Sequence, residues 1–280
     1  MLIGPDAGRF VLGDRVQLKL GAAETAGAFS CLLGFTPPGK GPPLHRHEHE
    51  DECFCVLAGT YEMIRGARRV RLGAGDSIFL PRRVAHTFVN VGSRPGRLLE
   101  LVVPGGLEDY FDAVNVLGPE LDAGLDGRRE IARLFGISFP EPGAHAPQDE
   151  ASAPLTAGIV LAEAAGRFPF GISVARWTMP SVDACGRLAT IVLEIAPGTG
   201  GGIDPVPSAW RLLFLLEGAV DLRDGSRSAF AGPGALGLAG DELLAWENVG
   251  PAPARLLLAL LPRDPGARRA SELVFRPSTE

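Results

Sequence analysis

Residues 42 to 59 read PPLHRHEHEDECFCVLAG and hold three of the chain's five histidines. On an extended strand, residues two apart point to the same face, about 6.6 to 7 Å apart at Cα. His45 and His47 thus lean to one side, where two imidazoles can converge on one ion at roughly 2.0 to 2.1 Å. Glu52 opens the run ECFCVLAG and can return a carboxylate to the same point. His86, in PRRVAHTFVN, is the only other histidine in a strand-like run. Three imidazoles and one carboxylate form a mixed N/O set, which suits Fe, Mn, Co, Ni or Zn rather than Ca or Mg. The expected cofactor is one divalent transition metal. Its affinity should fall below about pH 6.5, because an imidazole must be neutral to bind.

A thiol site in the same stretch fails on parity. Cys53 and Cys55 alternate away from Glu52, so they face an outer packing layer, where free cysteines act as small hydrophobes. Phe54 and Val56 then face inward with Glu52, and Phe88 inward with His86, giving an aromatic-walled substrate pocket. His49 reads as a neighbour of the ligands or an exposed residue, and Glu50 and Asp51 as a solvated acidic edge.

Outward from this stretch, 37 glycines and 24 prolines punctuate short β-type runs such as FSCLLGF, DSIFLP and RLLELVVP. That is the pattern of an all-β barrel or sandwich. The two halves repeat. GRFVLG at Gly8 recurs as GRFPFG at Gly166, VLAG at Gly59 as LLEG at Gly218, and NVGSRPGRLLELVVP at Asn90 as NVGPAPARLLLALLP at Asn248. The chain is a duplicated β domain, with boundaries expected at 1–140 and 155–280. LEDYFDAVNVLG and GRREIARLFG, which follow the first copy, carry helical spacing and are expected to pack outside the first barrel. EPGAHAPQDEASAP (141–154) has no periodicity and reads as the linker, with His145 a solvated residue within it.

The glycines and ligand-type residues together reproduce two motifs. Gly39, five residues, His45-x-His47, four residues, Glu52, six residues and Gly59 make the first; Gly75, five residues, Pro81, then His86 and Asn90 make the second. These resemble the two motifs of the cupins, over roughly residues 8 to 136. Arg83 stands where that family usually has glycine, which bears on the turn before His86. The resemblance implies two tandem jelly-roll barrels, with His45, His47, Glu52 and His86 binding a metal at the centre of the first. In the second copy, registering Gly198 on Gly39 puts Asp204, Val206, Arg211 and Leu244 at the ligand positions, so that copy is expected to hold no metal. Its expected role is structural, as a pseudo-dimer partner of the first, or the binding of an organic ligand.

The chain is similar in organisation to bacterial quercetin 2,3-dioxygenase-like bicupins. This implies O₂-dependent cleavage of an enolic or phenolic, flavonol-like substrate chelated to the metal, with Glu52 as the catalytic base. Two other readings use the same residues: a redox-neutral isomerase, decarboxylase or cyclase, and a non-enzymatic small-molecule-binding barrel. A formal charge of −6 without a dominant Lys/Arg cluster argues against nucleic acid and anionic membrane as partners. The N-terminus MLIGPDAGRF lacks the pattern of a secretory signal, the apolar runs are strand-length, and the four cysteines have no framework spacing. A cytoplasmic protein with reduced thiols follows, acting on a small molecule and capable of forming a homodimer.

Overall fold

Alternation of inward apolar and outward residues resolves into antiparallel strands throughout the computed structural model. It describes residues 1–116, 125–140, 158–180, 184, 187–206, 208–225 and 227–264. The expected linker and His145 lie outside the described residues.

The chain divides into two units, Gly8–Ala162 on one hand, and Met1–Ala7 with the described residues from Glu163 onward on the other. Two short strands fall on the far side of the boundaries expected from the repeat. Leu2–Ile3 pairs with Leu236–Ala239, and Ile159–Val160 pairs with Ser77–Leu80. Each completes the edge of a seven-stranded sheet, where open strand edges would otherwise be left unpaired.

In the first unit the large sheet runs Ile159–Val160, Ser77–Leu80, Asp51–Ala58, Gly96–Val103, Ser30–Thr36, Val16–Leu20, Arg9–Leu12. A three-stranded sheet of His86–Asn90, Thr60–Arg65 and Arg68–Gly73 faces it. Phe54, Val56 and Leu98 from the first sheet pack with Tyr61, Met63 and Leu72 from the second, forming one interior. This is the jelly-roll architecture expected from the sequence. After the last strand come helices Leu107–Val116 and Leu125–Leu134. Their apolar residues Leu107, Tyr110, Phe111 and Ala132 cluster with Val11, Leu18, Leu32 and Val102. The buried Glu108 carboxylate ties the first helix down, accepting from Ala22 N at 2.5 Å and Ser30 Oγ at 2.6 Å. The chain then returns as strand Ile137–Ser138, which pairs with Arg46–His47. The helical hairpin therefore ends by bracing the strand that carries His47.

The second unit repeats the plan. Its large sheet runs Leu2–Ile3, Leu236–Ala239, Ala209–Glu217, Ala254–Pro262, Ala189–Ile195, Ser173–Met179, Arg167–Phe170. Facing it are Gly200–Ile203, Leu244–Asn248, Val220–Asp224 and Arg227–Ala231. The copies agree in detail. Asn90 Nδ2 donates to Thr36 O and Arg94 O while its Oδ1 accepts from Gly92 N; Asn248 makes the same three bonds with Ile195, Ala252 and Gly250. Gly59 and Gly218 share a left-handed φ of +94° and +87°. A Cβ on either would lie within 2.9 Å of backbone, at Gly96 Cα or Ala254 Cα, so both turns require glycine. No helix among the described residues is long and apolar enough to cross a membrane.

Candidate metal centre

His45, His47, Glu52 and His86 each offer one ligand atom, and the four atoms lie within 4.8 Å of one another. Strand pairing brings them together: His45 bridges His86, and Glu52 opposes Leu80 and Val102 in the middle of the large sheet. Three of the four are buried, and His45 is half-buried. Glu52 sits at the hub, with Oε2 2.8 Å from His86 Nε2 and Oε1 3.5 Å from His47 Nε2.

The histidines are held in the tautomer a metal needs. His45 Nδ1 lies 2.9 Å from Pro43 O, and His86 Nδ1 lies 2.9 Å from Val84 O. A carbonyl accepts only, so each Nδ1 carries the hydrogen and each Nε2 presents its lone pair to the centre. Burial, followed by the neighbouring imidazoles, holds His45 well below the ordinary histidine range and lowers His47 to about 3. Both rings thus lack a proton to compete with a metal at neutral pH.

At the centre, Glu52 Oε2 is buried and makes no hydrogen bond. Leaving such an atom unsatisfied costs about 1 to 3 kcal/mol. A transition-metal ion with bonds near 2.1 Å sets neighbouring ligand atoms about 3 Å apart, and the 2.8 and 3.5 Å separations bracket that value. The residues present fit a divalent ion of this class.

A second buried carboxyl, Glu100, touches Glu52. It projects from Gly96–Val103, where it pairs with Phe54, and is 7% exposed. Burial raises both groups: Glu52 to about 7, against an opposing hydrogen bond from Glu100, and Glu100 well above the usual carboxylate range, with the Glu52 charge adding to the rise. Two carboxyls in contact cannot both ionise cheaply, so the pair holds a proton. The sequence reading did not single out Glu100. A usable signal was present: it is the one charged residue of RLLELVV after the arginine, and the second copy has Leu258 there.

The inward parity of Glu52 extends to Phe54 and Val56, which pack with Phe88 in one apolar interior; the Phe54 and Phe88 ring centroids lie 5.5 Å apart. Cys53 and Cys55 face the opposite side of the strand and are buried there with free thiols. Asp51 and Glu50 are not a solvated edge. Asp51 is 3% exposed and ion-paired with Arg82, because the strand begins one residue earlier than ECFCVLAG suggests and opens beside the 81–83 turn. It accepts from Arg82 N at 2.8 Å and Arg82 Nη2 at 2.7 Å, anchoring the turn that delivers His86. Glu50 is partly buried, with Oε2 3.3 Å from His47 Nδ1. His49 is exposed, its ring against Gly136. Arg83 adopts φ +67°, the conformation glycine would take, and its amide donates to His47 O at 2.6 Å.

The second copy keeps the frame without the ligands. Arg211 opposes Ala239 and Leu260 as Glu52 opposes Leu80 and Val102, so it occupies the hub position. Leu244 stands in the place of His86, but its partner is Ile203 rather than the expected Asp204. The strand Gly200–Ile203 pairs without the extra residue that precedes His45, which shifts the register by one and leaves Asp204 exposed.

A Cupin domain model matches residues 34–103, which include both motifs. Curated relatives match over the same kind of short span. Mannose-1-phosphate guanylyltransferase 2 of Escherichia coli O157:H7 is 34% identical over 64 residues, which are 23% of this chain and 13% of that protein. The uncharacterized protein MJ1618 of Methanocaldococcus jannaschii is 27% identical over 70 residues, 25% of this chain and 56% of that protein. The chain thus spans a small part of one relative and about half of the other. Solved structures match nearly the whole chain. The Lactobacillus farciminis oxalate decarboxylase–formate complex superimposes with a TM-score of 0.63 at 14% identity, covering 89% of this chain and 81% of that one. A Bacillus subtilis oxalate decarboxylase gives 0.66 at 15% identity, covering 94% and 77%. AerE from Microcystis aeruginosa gives 0.62 at 15% identity, covering 93% and 98%. At such identity the likeness establishes the fold.

Proposed function

Because the chain folds as two jelly-roll barrels and, among the described residues, ligand-type side chains converge in one of them only, we propose that it is a metal-dependent enzyme carrying out redox-neutral chemistry on a small carboxylate or enolisable acid. The observation that carries this reading is the convergence of His45, His47, Glu52 and His86 within 4.8 Å, with two of the imidazoles turned inward by backbone carbonyls. A divalent ion bound there supplies Lewis acidity and a template for a chelating oxyanion. Manganese is the first candidate: the Bacillus subtilis oxalate decarboxylase that shares the fold is described with Mn(II) centres.

The chain's own residues account for the rest. Phe54, Val56 and Phe88 provide an apolar wall that excludes water from the reacting group. Glu100, which touches Glu52 and is raised well above the usual carboxylate range, keeps a proton beside the ligands when Glu52 ionises to bind the ion. Decarboxylation and isomerisation each need a proton delivered to carbon, which this buried carboxyl proton serves. Oxidative ring cleavage, the reading closest to the quercetinase-like organisation, places oxygen rather than a proton on the cleaved carbons. The structural neighbours named as decarboxylases support the redox-neutral reading over it.

The test is a paired screen on protein reconstituted with Mn, Fe, Co, Ni or Zn. CO₂ release or isomer formation from small keto acids and dicarboxylates is measured beside O₂ uptake with flavonols, diketones and catechols. The expected result is turnover of an acid without O₂ consumption. Stoichiometric O₂ uptake with a flavonol or diketone would replace this reading with the dioxygenase one.

A further inference from the structure

His47 differs from the other two histidines in how it is held. His45 and His86 each give Nδ1 to the carbonyl two residues earlier, so their tautomer is set by the backbone. His47 has no such carbonyl. Its Nδ1 is buried and makes no hydrogen bond, and Glu50 Oε2 lies 3.3 Å from it, an atom that is also buried and also makes none. Two complementary orphan atoms face each other. The Glu50 carboxylate is steadied by the backbone N–H groups of His49 and Glu50, and its last torsion, an sp³–sp² bond, is soft enough for small adjustment toward the ring.

We propose that Glu50 is the positioning residue for His47: its carboxylate accepts the Nδ1 hydrogen and fixes the tautomer that turns Nε2 toward Glu52. The inference rests on the metal-centre reading above. Metal-ligating histidines gain basicity and orientation from such partners, and losing one typically costs 10- to 100-fold in affinity. The local chain makes the pairing. His47 ends one strand, Glu50 immediately precedes the next, and the short connection folds the carboxylate back over the ring. Counting back from the hub, the second copy has Ala209 where the first has Glu50, in step with its lack of histidines.

The test uses the full chain, stripped of metal, as wild type, Glu50→Gln and Glu50→Ala. Affinity for Mn(II) and Co(II) is measured by chelator competition. Paramagnetically shifted imidazole N–H resonances are recorded on the Co(II) forms, and melting of the metal-free proteins serves as the fold control. Glu50→Ala should bind 10- to 100-fold more weakly and lose or broaden one of three shifted N–H signals, with metal-free melting near wild type. Glu50→Gln keeps an acceptor oxygen and should recover much of the affinity and the signal. Unchanged affinity in Glu50→Ala, with metal bound by wild type, overturns the proposal alone. Equal losses in both variants overturn it too, since they would trace to charge rather than to the hydrogen bond. A wild-type protein that takes up neither metal overturns the metal-centre reading and this inference together.

Discussion

Arg83 sits in the left-handed region, φ +67°, directly after the turn residue whose side chain is anchored by Asp51. A non-glycine residue there costs roughly 1 to 2 kcal/mol. Glycine would relieve that strain, but it adds unfolded-chain entropy of about 0.5 to 1 kcal/mol and removes an exposed ion pair with Glu48 worth at most about 1 kcal/mol. Arg83→Gly should therefore stay within about 1 kcal/mol of wild type in denaturant unfolding and keep its metal content; a loss above about 2 kcal/mol would mean the side chain holds the turn. His86→Ala should remove metal binding while circular dichroism stays native, at a cost of about 2 kcal/mol for the vacated space. Retention of stoichiometric metal by this variant would exclude His86 as a ligand. At this scale the four ligand-type residues were legible because motif spacing depends only on strand period and turn length. Glu50 and Asp51 were misread as a solvated edge and Glu100 was not singled out, because their roles are set by what faces them across a turn or a sheet. Charge in the sequence says nothing about burial.

The strands Asp51–Ala58 and Ala209–Glu217 hold the same place in the two barrels, yet their hub residues have opposite charge. Arg211 is fully buried, and its fork reaches Ile203 O at 2.7 Å, Gly240 O at 2.7 Å and the carbonyl of Glu242. These carbonyls lie in the segments that correspond to those delivering His45 and His86 in the first barrel. A guanidinium thus ties the same three elements by hydrogen bonds that the ligands would tie through an ion. Reading Arg211 as a lost ligand was sound in register, but the sequence did not show that it had acquired work of its own. The apolar alternation of its strand is equally consistent with a snorkelling side chain. Arg211→Met leaves three carbonyls without their donor, each worth about 1 to 3 kcal/mol, offset in part by no longer burying a charge. A net loss of roughly 3 to 5 kcal/mol is expected, with the metal content of the first barrel intact. Arg211→Lys should recover little of it, since an ammonium cannot reproduce the planar fork. Calorimetry with metal analysis decides this, and a variant as stable as wild type would make the three bonds incidental.

Across the whole molecule, the repeat gave the barrel count, but the exchange of edge strands was hidden. Leu2–Ile3 and Ile159–Val160 are two residues each, too short to carry any period. The pH response is another property of the whole that only the assembled groups reveal. In the metal-free protein, buried His45 and His47 are depressed below 6.5, so the unfolded chain binds more protons and their contribution is lost as pH falls through the interval from 6.5 toward 3. Glu52 and Glu100 are raised above 4.5, so the folded chain binds more protons and their contribution is lost as pH rises from 4.5 through about 7. Between 4.5 and 6.5 the two pairs oppose each other. This cluster therefore gives metal-free stability a plateau there, with a decline on both sides. The sequence-based expectation tied metal affinity to imidazole protonation near pH 6.5. Burial moves the controlling proton to Glu52, since His45 and His47 are already neutral and the carboxylate must ionise to bind. Metal affinity should therefore rise with pH through about 7, with about one proton released per ion, and metal-induced stabilisation should grow over the same interval. Calorimetric titration with Mn(II) in buffers of differing ionisation enthalpy counts that proton directly. Glu100→Leu, which removes the second carboxyl as the other copy has done at Leu258, should displace the affinity profile. Proton release that instead follows a midpoint near 6 and is unaffected by Glu100→Leu would return control to the histidines.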